Sequence, residues 1–209
     1  MDNGFKPIYC LQVMVSRLNG ALKIDNSVMS DQSQTNDNLP ELSAEKGWTE
    51  IQIPDSYGNG RAFITGDNSS DRIKVKYFIK DDDQSFIGRV WFGPSTEGPT
   101  GFVHGGSMAA VLDEAMGAAS WILGFTAVSA KITVRYRNLL PLNTVTTVVA
   151  KAIFVRGKTI LTSGKIYDKA GTLFTESDGL FMKISPDRFT EMKKQSDAFQ
   201  SFLHAKDPG

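Results

Sequence analysis

Two adjacent acids, Asp113 and Glu114, lie inside a stretch of otherwise apolar residues. His104, Gly105 and Gly106 come shortly before them, with His104 nine residues ahead of Asp113. A carboxylate in such surroundings can serve as a general base or as a nucleophile. Exposed backbone N–H groups at the start of a helix, backed by the helix dipole, can polarise a carbonyl and hold the oxyanion that develops on it. These residue types at this spacing predict attack on an activated carbonyl.

A single helix has to hold these groups. The segment Gly98–Gly101 is turn-rich, so we expect the helix to begin at His104–Gly106 and to end at Gly124. Almost all of its residues are apolar, which predicts a helix that is buried on all sides in a protein core. We expect no membrane span, because the two acids interrupt the apolar run and the charge-free stretch 115–130 is too short to cross a bilayer.

The spacing within this helix predicts a site shared between two chains. Nine residues of an ideal helix rise about 13.5 Å and end on nearly the opposite face, so His104 and Asp113 of one chain cannot act on the same carbonyl. Two antiparallel helices in a homodimer would bring the start of one helix near the acid of the other and give two equivalent sites. A dimer of such dimers is a further possible assembly. Ser129 begins a predicted strand, and we expect it to hydrogen-bond Asp113 or the attacking water.

Each of these residues also has a simpler interpretation. Glu114 is either the working acid in place of Asp113 or a member of an ion pair, and we favour Asp113. Asp113 can be a structural acid that backbone amides satisfy. His104 can be a helix cap rather than a group near the carbonyl. Whether the acid acts as a base on water or as a direct nucleophile is left open by the sequence.

The rest of the chain has the pattern of β-strands. Apolar and polar residues alternate over 73–80 and 128–136, and Phe86–Phe92 is extended. Three long segments rich in β-branched residues follow at 144–155, 159–167 and 172–184, separated by short turns. One apolar helix followed by an antiparallel meander predicts an α+β fold in which an antiparallel sheet wraps round one long central helix.

Composition and spacing divide the chain into three parts. We predict an N-terminal arm and linker over 1–60, the main domain over 61–185 and a C-terminal helix over 186–209, with a short extended piece at 48–53. Lys plus Arg balances Asp plus Glu at 23 each, which does not favour a nucleic-acid partner. One cysteine, Cys10, and two histidines leave little for a metal site, and we expect no metal and no cofactor. Cys10 suits a reducing compartment, and the start of the chain lacks a basic signal, so we expect a cytoplasmic protein.

The segment EGPTGFVHGGSMAAVLDE, from Glu97 to Glu114, resembles the hotdog-fold acyl-CoA thioesterases of the PaaI-like branch, which includes the mammalian thioesterase superfamily members. The resemblance extends over Glu97–Ile184. It implies hydrolysis of a fatty or aromatic acyl-CoA without a cofactor, with Asp113 as the acid, Ser129 beside it and the Gly105 amide on the carbonyl. It gives His104 an orienting role. The chain lacks the upstream Asn that several relatives use to place the carbonyl or the water.

Coenzyme A carries phosphates, so the resemblance also implies cations near the substrate. Arg135 and Arg137 share one face of the predicted strand and are the candidates for substrate binding, together with Gly106 and Glu114. Arg156 and Lys158 flank a hairpin tip, and an ordinary solvated surface is the simpler interpretation of all four cations. The alternative function is a non-catalytic acyl-CoA binding or sensing protein. A hydratase ranks last, because it needs an Asp and a His acting together.

Overall fold

The computed structural model describes residues 40–51, 62–65, 71–185, 187–188 and 190–191. Over these residues the chain forms one antiparallel sheet of seven strands and one long helix. The helix, α1, spans Gly105–Trp121. The strands are β1 Trp48–Ile51, β2 Ile73–Lys80, β3 Phe86–Phe92, β4 Ala127–Tyr136, β5 Val145–Arg156, β6 Thr159–Asp168 and β7 Leu173–Lys183.

The sheet wraps round the helix. Its strand order is β1-β2-β3-β5-β6-β7-β4, and α1 contacts β3, β5, β6, β7 and β4. The core lies between them, where Val111, Leu112, Ala115 and Met116 of α1 are buried. The helix approaches β6 so closely that a Cβ at Gly164 would lie 2.9 Å from the Leu112 Cδ2. This architecture confirms the predicted α+β fold with one central helix.

The helix begins where the sequence predicted and ends earlier. His104 is the N-cap residue, and its side chain accepts a hydrogen bond from the backbone N–H of Gly106. The last helical residue is Trp121, so the predicted end at Gly124 was wrong by three residues. Gly124 has a positive φ of 81°, and its N–H donates to the Trp121 carbonyl oxygen at 2.8 Å. The chain therefore turns away from the helix over the residues that precede this glycine.

One face of α1 is not buried by the chain, which corrects the prediction of a helix buried on all sides. Residues along this face are only partly buried or are exposed: Gly106, Ala109, Ala110, Asp113, Glu114, Gly117, Ala118 and Trp121. The sheet runs from the edge strand β1 to the edge strand β4 without closing. The open face lies at the gap between these edges, because Ile51 of β1 and Val128 of β4 line the same cavity as this face.

Strands β2 and β4 differ from the alternating patterns in the sequence. In β2 the side chain of Phe78 is buried although it belongs to the face predicted to be polar, because the Trp48 ring of β1 covers it at 5.6 Å. In β4 the apolar residues Val128 and Tyr136 are exposed, at 45% and 53%. A strand at the edge of a sheet has a neighbour on one side only, which leaves such residues uncovered.

The ends of the predicted domain fall partly outside the described residues. β1 lies within the stretch that the sequence assigned to the arm, and the compact unit that holds the sheet begins at Pro40. Residues 1–39 and 52–60 of the predicted arm lie outside the described residues. Residues 187–188 and 190–191 are helical, and most of the predicted C-terminal helix lies outside as well. No helix within the described residues is both long and apolar enough to cross a membrane.

Candidate active site

An apolar cavity of about 490 Å³ lies against the open face of α1. It extends from β4 across the helix to β1, β2 and β3, so it occupies the gap that the sheet leaves open. Both acids of the helix line it. Its full lining is Ile51, Tyr77, Phe86, Asp113, Glu114, Gly117, Ala118, Trp121, Ile122, Ala127, Val128, Ser129 and Phe181. A largely apolar cavity with a few convergent polar groups is the usual form of a small-molecule site.

Asp113 and Ser129 meet in this cavity, as their sequence positions predicted. The Ser129 hydroxyl lies within reach of the Asp113 carboxyl group. Burial raises the pKa of Asp113, and the Ser129 hydrogen bond opposes that rise. β4 positions the serine, because Ser129 lies opposite Phe181 of β7, which also lines the cavity. A partly desolvated carboxylate held by a hydroxyl is a competent general base or nucleophile.

Glu114 has a hydrogen-bond partner that the sequence pattern did not reveal. The Tyr77 hydroxyl on β2 donates a short hydrogen bond to the Glu114 Oε1. Burial raises the pKa of Glu114, the Tyr77 hydrogen bond lowers it, and the charge of Asp113 raises it again. A signal existed, because Tyr77 lies on the apolar face of its strand and a buried tyrosine usually needs a partner for its hydroxyl. The pattern could not say which residue that partner was.

The start of α1 is built from hydrogen bonds that fix its geometry. The His104 N–H donates to the Thr96 carbonyl at 2.7 Å, which holds the chain as it enters the helix. The His104 Nδ1 accepts the Gly106 N–H at 2.9 Å, so the histidine caps the helix and occupies an amide predicted to bind substrate. The Gly105 N–H has no acceptor among the described residues. Gly105 is thus the helix-start amide that is left to bind a carbonyl oxygen.

Tyr136 explains why residue 105 is a glycine. Its hydroxyl donates to the Gly105 carbonyl oxygen at 2.9 Å, and a Cβ at residue 105 would lie 3.1 Å from two atoms of its ring. The sequence pattern gave no sign of this contact, because Tyr136 lies 31 positions from Gly105. The contact also fixes the position of the helix start against β4.

The helix start and the acid are far apart within one chain. Gly105 contacts Tyr136 while Asp113 contacts Ser129, and these two partners lie seven residues apart on β4. That separation corresponds to roughly 20 Å along an extended strand. The structure therefore brings together Asp113, Glu114 and Ser129 and does not bring Gly105 or His104 to them.

The cations predicted for the substrate are already paired. Arg135 donates to the Asp178 Oδ2 at 2.8 Å, and Arg137 donates through Nε to the Glu176 Oε1 at 3.1 Å. The Arg137 guanidinium lowers the pKa of Glu176. The Arg135 pair joins β4 to β7, and Arg137 reaches Glu176 of β7 from just beyond the end of β4.

Three other cations lie near the hairpin tip at Arg156–Thr159. In the part of the chain that the structure describes, Arg156, Lys158 and Lys183 form no ion pair. The Lys183 Nζ lies 3.6 Å from the centroid of the Phe125 ring. The backbone N–H of Lys183 donates to the Lys158 carbonyl oxygen. Lys183 is also the cross-strand neighbour of Ala127, which lines the cavity. Within the described residues no group of three or more His, Cys, Asp or Glu side chains could hold a metal ion.

Comparisons with known proteins point to one family. Residues 100–175 match the family model of the thioesterase superfamily. The acyl-coenzyme A thioesterase THEM4 of Xenopus laevis is 37% identical over 137 residues, which cover 64% of this chain and 62% of that protein. The acyl-coenzyme A thioesterase THEM5 of Homo sapiens is 24% identical over 168 residues, which cover 69% of this chain and 67% of that protein.

A solved thioesterase superfamily protein has the same fold. It superposes with a TM-score of 0.50 at 32% identity, over 52% of this chain and 53% of its own. The family model thus covers α1, strands β4 to β6 and the start of β7, and the chain spans less than two thirds of the THEM4 relative.

Proposed function

We propose that this chain is an acyl-CoA thioesterase, which hydrolyses a fatty or aromatic acyl-CoA to the free acid and coenzyme A. The match of residues 100–175 to the thioesterase superfamily supports the proposal. The observation that carries the proposal is the hydrogen-bonded pair of Asp113 and Ser129 in an apolar cavity. The acyl group would occupy this cavity, and the thioester carbonyl would lie beside the Asp113 carboxylate. The two related acyl-coenzyme A thioesterases support the same activity.

The reaction uses the acid in one of two ways. As a general base, Asp113 takes a proton from water while the water oxygen bonds to the carbonyl carbon. As a nucleophile, Asp113 bonds to that carbon and forms an anhydride, which water then hydrolyses. In both cases the C–S bond breaks, the thiolate of coenzyme A leaves and is protonated, and the acid is released. Ser129 orients the carboxylate or the water.

The oxyanion needs a hydrogen-bond donor close to the carbonyl that Asp113 acts on. The free N–H of Gly105, at the positive end of the helix dipole, suits this role, with His104 fixing its orientation by capping the helix. Gly105 lies too far from Asp113 within one chain. The proposed site is therefore shared, with Asp113 from one subunit and Gly105 from its partner in a homodimer.

Two features of the fold support this homodimer. The open face of α1 carries the small residues Gly106, Ala109, Ala110, Gly117 and Ala118, which would let a second helix approach closely. β4 is an edge strand whose free side can pair with another strand, and its Val128 and Tyr136 are exposed. Pairing of β4 with its copy about a twofold axis would continue the sheet and bring the two open faces together. A dimer of dimers stays a further prediction.

Coenzyme A would approach along a cationic surface. Arg156, Lys158 and Lys183 are available for its phosphates near the end of the cavity at Ala127. Arg135 and Arg137 remain candidates, and phosphates would have to share them with Asp178 and Glu176. A cytoplasmic location stays a prediction from the single cysteine.

A panel of acyl-CoA thioesters tests the proposal. Short, medium, long and aromatic acyl-CoAs are incubated with the full chain, and thiol release is followed with a thiol-reactive dye. We expect at least one of them to be hydrolysed with the kcat/KM of an ordinary enzyme, above about 10⁴ M⁻¹s⁻¹. Binding of acyl-CoA without thiol release would favour the alternative, a non-catalytic binding or sensing protein.

A further inference from the structure

Only one of the two carboxyl oxygens of Glu114 forms a hydrogen bond within the described residues. Its Oε1 accepts the Tyr77 hydroxyl, and its Oε2 has no partner in the described part of the chain. The Oε2 is not among the buried polar atoms without partners, so it remains accessible from the cavity. Tyr77 is itself buried and packs its ring 4.9 Å from the Phe86 ring, so it holds the carboxyl group in a fixed position.

Glu114 lies close to where the reacting carbonyl would be. It directly follows Asp113 in the helix, and the two side chains are separated by about 100° round the axis. Both line the same cavity, with Ser129 on the Asp113 side and Tyr77 on the Glu114 side. An acyl group whose carbonyl carbon meets Asp113 and whose chain runs across the helix toward β2 passes Glu114 with its first few carbons.

A plain hydrocarbon chain is a poor match for this position. It would cover the Oε2 without offering a hydrogen bond, and an unpaired buried polar group is costly. An acyl group with a hydroxyl at the same place would donate to the Oε2 instead. Sites with a fixed polar group of this kind discriminate strongly against ligands that lack the matching group.

We propose that Glu114, held by Tyr77, is a specificity-determining residue, and that the cavity prefers acyl-CoA thioesters with a hydroxyl on the third carbon or a neighbouring carbon over unsubstituted ones of equal length. This inference rests on the proposed thioesterase function, because it assumes that the carbonyl lies at Asp113.

Three thioesters of one chain length test the preference: hexanoyl-CoA, 3-hydroxyhexanoyl-CoA and 3-methylhexanoyl-CoA. The methyl group matches the hydroxyl in size and cannot donate a hydrogen bond. We expect the wild-type kcat/KM for the hydroxy substrate to exceed that for hexanoyl-CoA by about tenfold or more, in line with a hydrogen bond to a charged group. The methyl substrate gains nothing from Glu114.

Variants assign the preference to the carboxyl group. Glu114→Leu keeps a side chain of similar size, and it should bring the ratio between the hydroxy and plain substrates to about one while raising kcat/KM for hexanoyl-CoA. Tyr77→Phe keeps the ring and releases the carboxyl group, so the ratio should fall part of the way. Glu41→Gln changes an exposed acid outside the cavity lining and should leave the ratio at the wild-type value.

The outcomes separate the two proposals. Equal wild-type rates on the hydroxy and plain substrates, or an unchanged preference in a folded Glu114→Leu variant, would overturn the role of Glu114 and leave the thioesterase function standing. A ratio that survives Glu114→Leu but also appears with the methyl substrate would mean that shape sets the preference. Absence of thiol release from every acyl-CoA would overturn the thioesterase function and this inference with it.

Discussion

The polar groups at the start of α1 and those in its middle lie in contrasting environments. At the start, the His104 side chain takes the Gly106 N–H and the Tyr136 hydroxyl binds the Gly105 carbonyl, so the groups are fixed by neutral hydrogen bonds. In the middle, Asp113 and Glu114 lie in an apolar cavity, and burial raises the pKa of both carboxyl groups. The helix start therefore has a fixed geometry, and the middle of the helix holds two acids at a cost in desolvation.

This difference is what the proposed hydrolysis of a thioester would require of the two regions. Stabilising an oxyanion needs donors that do not move during the reaction. Accepting a proton or attacking a carbon needs a carboxylate that is poorly solvated. The two parts serve one reaction only if two chains join, since one chain keeps them apart.

Removing the acid should have the largest effect. Asp113→Asn keeps the shape of the side chain and removes the base or nucleophile, so we expect kcat/KM to fall by about 10²–10⁴ or more. Thiol release from the best acyl-CoA measures it. Asp82→Asn is the control, because Asp82 is an exposed acid that pairs with Lys80 and lies outside the cavity lining. Wild-type turnover by Asp113→Asn would remove Asp113 from the mechanism.

Removing the donor at the helix start should have the next largest effect. Gly105→Pro deletes the free N–H at the first helical position, where proline is tolerated. We expect a loss of about 10²–10³ in kcat, the range for an oxyanion donor. Gly105→Ala is the matched control, because its Cβ contacts the Tyr136 ring in the same way and its N–H remains. Equal losses in the two variants would show that crowding against Tyr136 matters and the N–H does not.

The raised pKa of Asp113 should appear in the pH dependence of the reaction. The acid must be ionised to act, so kcat/KM should rise with pH through a value above the ordinary range of an aspartate. Ser129→Ala removes the hydrogen bond that lowers this pKa and should move the rise to higher pH. Ser129→Thr keeps a hydroxyl and should move it less. A rise at the ordinary aspartate pKa, unmoved by Ser129→Ala, would contradict this account of the cavity.

The smallest expected effect is that of Asp113→Asn on the free energy of unfolding. This variant should lose activity but gain stability. Because burial raises the folded-state pKa of Asp113, the folded chain binds more protons than the unfolded chain between the two pKa values. The contribution of protonated Asp113 to the stability of the folded chain is therefore lost as pH rises through that window. Asp113→Asn should be more stable than wild type at about pH 8 and should lose this advantage near pH 4. Denaturant midpoints at both pH values measure it.

The sequence predicted the elements and one of the local contacts. The strands and the start of the helix follow from periodicity and from glycine-rich turns, and the pairing of Asp113 with Ser129 followed from their positions. The bond between Tyr77 and Glu114 and the contact between Tyr136 and Gly105 could not be predicted, because each joins residues more than 30 positions apart whose meeting depends on sheet register. The open face of α1 was missed for a related reason. Whether a sheet closes round a helix depends on the number and curvature of its strands, which no residue pattern within the helix records.

A mixed dimer tests the shared site most directly. Asp113→Asn and Gly105→Pro chains carrying different tags are produced together, so that about half of the dimers contain one chain of each kind and have one intact site of two. Each variant alone should be nearly inactive, and the mixture should recover about a quarter of the wild-type kcat/KM, all of it in the doubly tagged fraction. A mixture as inactive as its parents would place both groups in one chain and contradict the account.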